Sequence, residues 1–166
     1  MKNKGTLFLV QGAAIAAVYV VLTLVFAPLS FGEVQVRFSE ALTILPYFTP
    51  AAIPGLFVGC LIANFLGGAI PIDILFGSIA TLIGAVFTYK LRNNRFLAPV
   101  PPIVANTVIV PCVLHFGYGI NLPIPFLMLT VGIGEVLSCG VLGMILLGIL
   151  SKYKNIIFST RNASAG

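Results

Sequence analysis

The sequence predicts an all-α membrane protein, a compact bundle of six transmembrane helices with both termini in the cytoplasm. Three observations predict it. Hydrophobic residues make up 59% of the 166 residues and charged residues only 8%, whereas a soluble domain carries about 25% charged residues. Uncharged runs cover residues 5–32, 41–72 and 96–134, each longer than the roughly 18 residues that mark a spanning helix. The basic residues gather in three short groups separated by apolar chain, a pattern that fixes orientation in a bilayer.

The first helix is expected over residues 7–29. Lys2 and Lys4 precede it, and no small-x-small cleavage site interrupts it, so it reads as a retained helix rather than a signal peptide. Residues 41–89 hold one charge, Asp73. As a single helix they would run about 74 Å, against about 30 Å of hydrocarbon. The prolines of "PYFTPAAIP" (46–54) and the break "LGGAIP" (66–71) divide this tract into segments near 39–48, 51–66 and 72–90. The segment 39–48 is too short for a plain crossing and must be oblique, extended through its prolines or partly re-entrant, its backbone satisfied by protein. "GYGINLP" (117–123) splits the last apolar block into helices near 99–116 and 124–152.

Charge placement supports six crossings. Lys2 and Lys4, then Lys90, Arg92 and Arg95, then Lys152, Lys154 and Arg161 all fall on one side if four crossings separate the first two groups and two more the last. Arg37 is the exception. Residues 1–155 form one integral membrane domain, and 156–166 read as a disordered tail. The net charge of +5 is explained by this topology, so no nucleic-acid partner is implied. Cys60, Cys112 and Cys139 lie in apolar tracts without metal-ligand spacing and read as small buried hydrophobes. No metal or cofactor is expected.

Gly55, Gly59, Ala63 and Gly67 recur every four residues, as do Gly12 with Ala16 and Ala13 with Ala17. Such stripes let helix backbones approach closely. They pack the bundle itself, or one of them, that of the first helix, docks a separate membrane subunit.

In so dry a chain the polar residues are informative, because an ionisable group inside a membrane is a functional hypothesis by default. Glu135 of "VGIGEVLS" falls near the middle of the last helix, beside Gly132 and Gly134. Its burial costs several kcal/mol on insertion scales, roughly 3, and it is the strongest candidate for a ligand contact or proton site. Asn64 and Asn106 are ligand contacts or interhelical glue. Asp73 starts a helix after Pro71, where the helix dipole alone would account for it, and His115 lies at an interface. Tyr47 is on the short second helix. No HExxH, GxSxG, Cys–His pair, Walker motif or phosphate-cradling glycine loop occurs. The chain therefore reads as a non-enzyme that cannot hydrolyse ATP by itself.

The stretch "EVQVRFSEAL" (33–42) concentrates Glu33, Arg37 and Glu40 in the loop before the second helix. Alternation of Val34, Val36 and Phe38 with Gln35, Arg37 and Ser39 suits an extended segment, Ser39 suits an N-cap, and Glu40 suits the positive end of the helix dipole. The stretch is either a solvated loop with a weak surface ion pair or a polar lid that contacts a ligand.

Taken together, the basic N-terminus, the helix-1 alanines, the polar first loop and the polar last helix resemble the substrate-binding S component of energy-coupling factor (ECF) transporters. "VQVRFSEALTILPYFTPAAIPGLFVGCLIANFLGG" (34–68) and "GIGE" (132–135) resemble the queuosine-precursor transporter (QueT) family over about residues 5–155. That resemblance implies an S component that captures a 7-deazaguanine from outside the cell and topples in the membrane. It implies as partners a transmembrane coupling protein and two cytosolic ATPases. It also implies that Gly12, Ala13, Ala16 and Ala17 face the coupling protein. A deazaguanine offers a two-donor edge that suits a carboxylate, a carbonyl that suits Asn or Arg, and a flat face that suits an aromatic ring. The candidates here are Glu135, Glu40, Asn64, Asn106, Arg37, Phe38, Tyr47 and Phe116, with Asp73 and His115 at the outer rim. The other readings are an S component for a different vitamin-like metabolite, a stand-alone proton-coupled carrier using Glu135, and an intramembrane enzyme or structural subunit.

Overall fold

The computed structural model describes residues 2–27 and 37–157. The first-loop alternation at 34–36, Glu33, Arg161 and most of the expected disordered tail lie outside the described residues. Those described form an all-helical bundle with no strand.

Helix α1 (Lys2–Val25) is followed, after the first loop, by a 3-10 helix (Phe38–Tyr47). Then come α2 (Ala52–Leu66) and α3 (Pro71–Lys90). Helix α4 (Val100–Cys112) runs on as a π-helical turn (Val113–Gly117). Helix α5 is a rod of three parts, Ile124–Glu135, a π-helical stretch Val136–Leu142, and Gly143–Ile157. Four helices (α1, α3, α4 with its π turn, and α5) are long and apolar enough to cross a membrane, and α2 is a shorter apolar helix.

The helices pack in chain order, each on the next, and glycines set the closest crossings. A Cβ on Gly55 would lie 2.6 Å from the Gly12 carbonyl oxygen, and one on Gly59 would lie 3.0 Å from the Ala16 Cα. At Gly84 a Cβ would meet Pro102 at 2.7 Å. The α1–α2 and α3–α4 contacts are thus backbone-on-backbone, the arrangement small residues permit in a membrane. Gly12 and Ala16, expected on a partner-facing stripe, are instead buried inside this chain. Ala13 and Ala17 do remain exposed.

The segment 39–48, difficult to place as a crossing, is the hub of the bundle. Its 3-10 geometry stretches ten residues to about 20 Å, where an α-helix would reach about 15 Å. It touches α1, α2, α3, and the π-helical and last parts of α5. Seven of its residues, Ser39, Glu40 and Leu42–Pro46, are buried. Its weaker backbone hydrogen bonding is therefore shielded by protein rather than exposed to lipid.

Apolar side chains cover the outside, among them Leu9, Val21, Phe65, Phe116 and Leu129. The α3–α4 connection carries its cations against aromatic rings: Arg92 lies 4.2 Å from the Tyr89 ring centre and Arg95 lies 4.9 Å from that of Phe96. Aromatic and basic side chains pair in this way at a membrane–water interface.

Candidate substrate-binding site

The polar residues that punctuate the apolar helices converge in one place. Arg37, Glu40, Asn64, Asp73, Asn106 and Glu135 are all at most 5% exposed, and they come from five helices. The 3-10 helix supplies Glu40 and its N-cap position Arg37. Helices α2, α3, α4 and α5 supply Asn64, Asp73, Asn106 and Glu135 in that order.

Glu40 is the centre. The hydroxyl of Tyr19 donates a short hydrogen bond to its Oε1. The amide of Asn106 donates to its Oε2 at 3.4 Å. Glu135 stands beside it and accepts from the Cys139 thiol at 3.2 Å. One carboxylate oxygen from each glutamate and the Cys139 sulfur lie within 4.8 Å of one another. Two charged carboxylates at that separation repel by roughly 3–4 kcal/mol at an effective dielectric near 20. Such a pair is stable only with a compensating charge, a proton or nearby hydrogen-bond donors. Arg37 is the nearby cation, and its Nη1 donates to Asn64 Oδ1 at 3.4 Å.

Asp73 extends the network along α3. Its Oδ2 accepts from the Tyr118 hydroxyl at 2.9 Å, and that hydroxyl accepts from the Ile70 amide at 3.4 Å. The other oxygen, Oδ1, has no hydrogen-bond partner. Gly77 is bare where these groups meet: a Cβ there would lie 3.1 Å from Asp73 Oδ1 and 3.2 Å from Asn64 Nδ2.

A sequence model of the QueT transporter family matches residues 9–152. The chain belongs to the QueT transporter family. Over 102 residues it is 35% identical to a queuosine precursor transporter QueT of Lactococcus lactis subsp. cremoris (strain MG1363), a stretch covering 58% of this chain and 60% of that relative. The match thus spans less than two thirds of the relative's length. No solved structure matches the chain. The family and this relative are transporters rather than enzymes, and this QueT-family chain is a multi-pass protein of the cell membrane.

Not every residue singled out from the QueT-family sequence reaches the cluster. Tyr47, at the far end of the 3-10 helix, stacks edge-on against Phe48 at 5.0 Å and packs on Ile44, Ala98 and Leu147. It is a packing residue because seven positions of 3-10 helix separate it from Glu40. His115 hydrogen-bonds through Nδ1 to the Ile120 and Leu122 carbonyls at 3.0 and 3.2 Å. It pins the α4–α5 loop and lies off the cluster, and its neighbour Phe116 is 74% exposed on the outer surface. Phe38 lies against Phe26, ring centres 4.3 Å apart, which ties the start of the 3-10 helix to the end of α1.

Sequence reasoning missed Tyr19, Cys139 and Thr23. Tyr19 continues the Gly12–Ala16 stripe by a further three residues, so the helical period already placed it at the α1–α2 crossing. Thr23, one turn on, donates to Ser39 at 2.7 Å. Cys139 follows Glu135 by four residues on α5 and accepts from Thr43 at 3.3 Å. Glu40, Glu135 and Cys139 are donors of a type that hold a divalent cation such as zinc. The Cys139 sulfur lies within hydrogen-bond reach of both Glu135 Oε2 at 3.2 Å and the Glu40 carbonyl at 3.4 Å.

Proposed function

We propose that this chain is the substrate-capture S component of an ECF importer and binds a queuosine precursor, a 7-deazaguanine, at the Glu40–Glu135 cluster. The observation that carries the reading is the pair of buried glutamates, flanked by Asn106 and Arg37, in a chain of the QueT transporter family. Glu135 accepts the ring N–H and exocyclic amino donors. The Asn106 amide and the Arg37 guanidinium supply donors for the ring carbonyl. The bonds to the Glu135 carboxylate and from the Arg37 guanidinium are charge-assisted, which makes them stronger than the neutral one from Asn106. Six crossings, with the 3-10 helix as the second, put Lys2–Lys4, Lys90–Arg95 and Lys152–Lys154 together in the cytoplasm. They leave the α4–α5 loop and the first loop on the outside, where substrate arrives.

The chain has no nucleotide-binding motif, so energy comes from elsewhere, from a membrane coupling protein and two cytosolic ATPases. Ala13 and Ala17, exposed on α1, offer that coupling protein a close-packing face. Beside them a shallow apolar groove of about 240 Å³ runs between α1 and α2, floored by Gly12 and Gly55.

Calorimetric titration of the purified protein tests the substrate. Queuine and its deazaguanine precursors are expected to bind tightly, and guanine, biotin and riboflavin weakly or not at all. Indifference to every deazaguanine would overturn the assignment. The Glu40–Glu135 pair also supports a second reading, a proton-coupled carrier that works alone. That reading requires uptake into vesicles lacking any ATPase subunit, abolished when the proton gradient is collapsed.

A further inference from the structure

Between α1 and the last part of α5 the bundle is open. Each of these segments packs on the 3-10 helix rather than extensively on the other, which leaves a groove of about 290 Å³ along the outside. Leu42 and Leu45 of the 3-10 helix floor it. Ile15 and Val18 of α1 wall it on one side, and Leu146 and Leu150 of α5 on the other. It is separate from the α1–α2 groove beside Ala13. A hollow on a membrane-facing surface does not stay empty. A void forfeits the dispersion contacts of its lining, and water needs at least two polar partners to enter. Gln11 is the one polar residue among the described residues that line it, and its side-chain oxygen already accepts from Thr49 at 3.1 Å. The groove therefore takes a hydrocarbon chain.

One mouth of the groove is basic. The 3-10 helix sets the directions of its walls. Its start faces Tyr19 of α1 and Cys139 of α5, and its end faces Gln11 of α1 and Leu147 of α5. The beginning of α1 and the end of α5 therefore emerge side by side. On α1 the stripe of Gln11, Ile15 and Val18 continues seven residues back to Lys4, on the same helix face. On α5 the step of four from Leu146 to Leu150 leads on to Lys154, with Ile157 also in the lining. Lys4 and Lys154 are both exposed. The described carboxylates, Glu40, Asp73 and Glu135, are all buried in the polar cluster, so none of them offsets the two lysines.

We propose that this groove holds one acyl chain of an anionic phospholipid, with the phosphate of its headgroup between Lys4 and Lys154. The apolar lining fits the chain, and two unopposed ammonium groups at the mouth fit the negative headgroup. Lysine stems near helix ends lie along apolar surface and carry the charge out to headgroup level. A zwitterionic lipid offers the same chain but brings its own cation to the lysines. The bound chain covers Leu42 and Leu45 and closes the bundle around the 3-10 helix on the side that protein leaves open.

Native mass spectrometry of the full-length protein, released from detergent after titration with phosphatidylglycerol or with phosphatidylcholine of the same chains, tests it. One phosphatidylglycerol is expected to bind about 30-fold tighter than phosphatidylcholine, the factor that two lysines give at an anionic headgroup. The double variant Lys4→Gln, Lys154→Gln is expected to lose that preference and to bind one phosphatidylcholine as the wild type does, which also shows that it is folded. Ala14→Trp places a large ring in the groove from an exposed position of its lining, and it is expected to retain neither lipid while melting like the wild type. Equal binding of the two lipids by the wild-type protein, or an unchanged preference in the double variant, would overturn the inference. So would wild-type lipid retention by Ala14→Trp, and loss of co-purifying coupling protein in that same variant would make the groove a protein-docking surface instead.

Discussion

Glu40 and Glu135 illustrate how differently two glutamates of one chain read from sequence. Glu135 sits deep in an apolar helix, so its burial and its cost were legible. Glu40 follows a polar loop and a serine, which is the pattern of an exposed helix start, yet it is 1% exposed and is the more heavily hydrogen-bonded of the two. What hid it is long-range: Tyr19 is 21 residues away and Asn106 is 66 residues away, and no local pattern connects them. Arg37 was legible as the one cation against the positive-inside trend. Asp73 was legible as a helix start and as a candidate at the outer rim, but the partners of its two oxygens were not. Two predictions belong to these side chains. Glu135→Gln keeps the volume but removes a charge-assisted acceptor, worth about 1.5–3 kcal/mol. Deazaguanine affinity measured by calorimetry should therefore fall roughly 10- to 150-fold. Unchanged affinity would move the ring-reading role to Glu40. Arg37→Ala should weaken the same binding while leaving co-purification with coupling subunits intact, and wild-type affinity would return Arg37 to a purely structural role.

At the scale of elements, the breaks were legible and the geometry between them was not. Prolines and glycines located the ends of α2 and α3 to within a residue or two, and "GYGINLP" located the α4–α5 loop. The 3-10 form of Phe38–Tyr47 was not legible, because a ten-residue 3-10 run is uncommon. It exists here because five neighbouring segments enclose it. The glycine stripes were visible, but whether they met each other or a partner depended on the crossing. Gly12 meets Gly55, and Ala16 meets Gly59, with backbone contacts that leave no room for a side chain. Gly55→Leu should therefore force α1 away from α2. The cost of such overpacking is about 1–3 kcal/mol or more, read as a lower melting temperature or an aggregated peak in detergent. Gly5→Ala, where a new Cβ meets nothing within 4 Å, should melt like the wild type. Equal stability of the two variants would mean that the α1–α2 crossing is not set by these glycines.

On the scale of the whole molecule, the 3-10 helix decides the topology. If Phe38–Tyr47 carries the chain across the bilayer, the α3–α4 connection faces the cytoplasm and the α4–α5 loop faces outward. If it dips in and returns, both flip relative to the N-terminus. Its extension to about 20 Å, continued by the residues that lead into α2, favours passage, since a segment that re-enters would place Arg92 and Arg95 outside, against the trend for basic residues. Two exposed polar positions, Asn93 and Asn121, separate these outcomes. With the exposed native Cys112 replaced by alanine, Asn121→Cys should react in intact cells with a membrane-impermeant maleimide. Asn93→Cys should react only after the membrane is opened. Labelling of Asn93→Cys from outside would leave three crossings before it. The α4–α5 loop, with Tyr118 and the open end of the polar cluster near Asp73, would then face the cytoplasm, and a chain that captures substrate from outside could not receive it there.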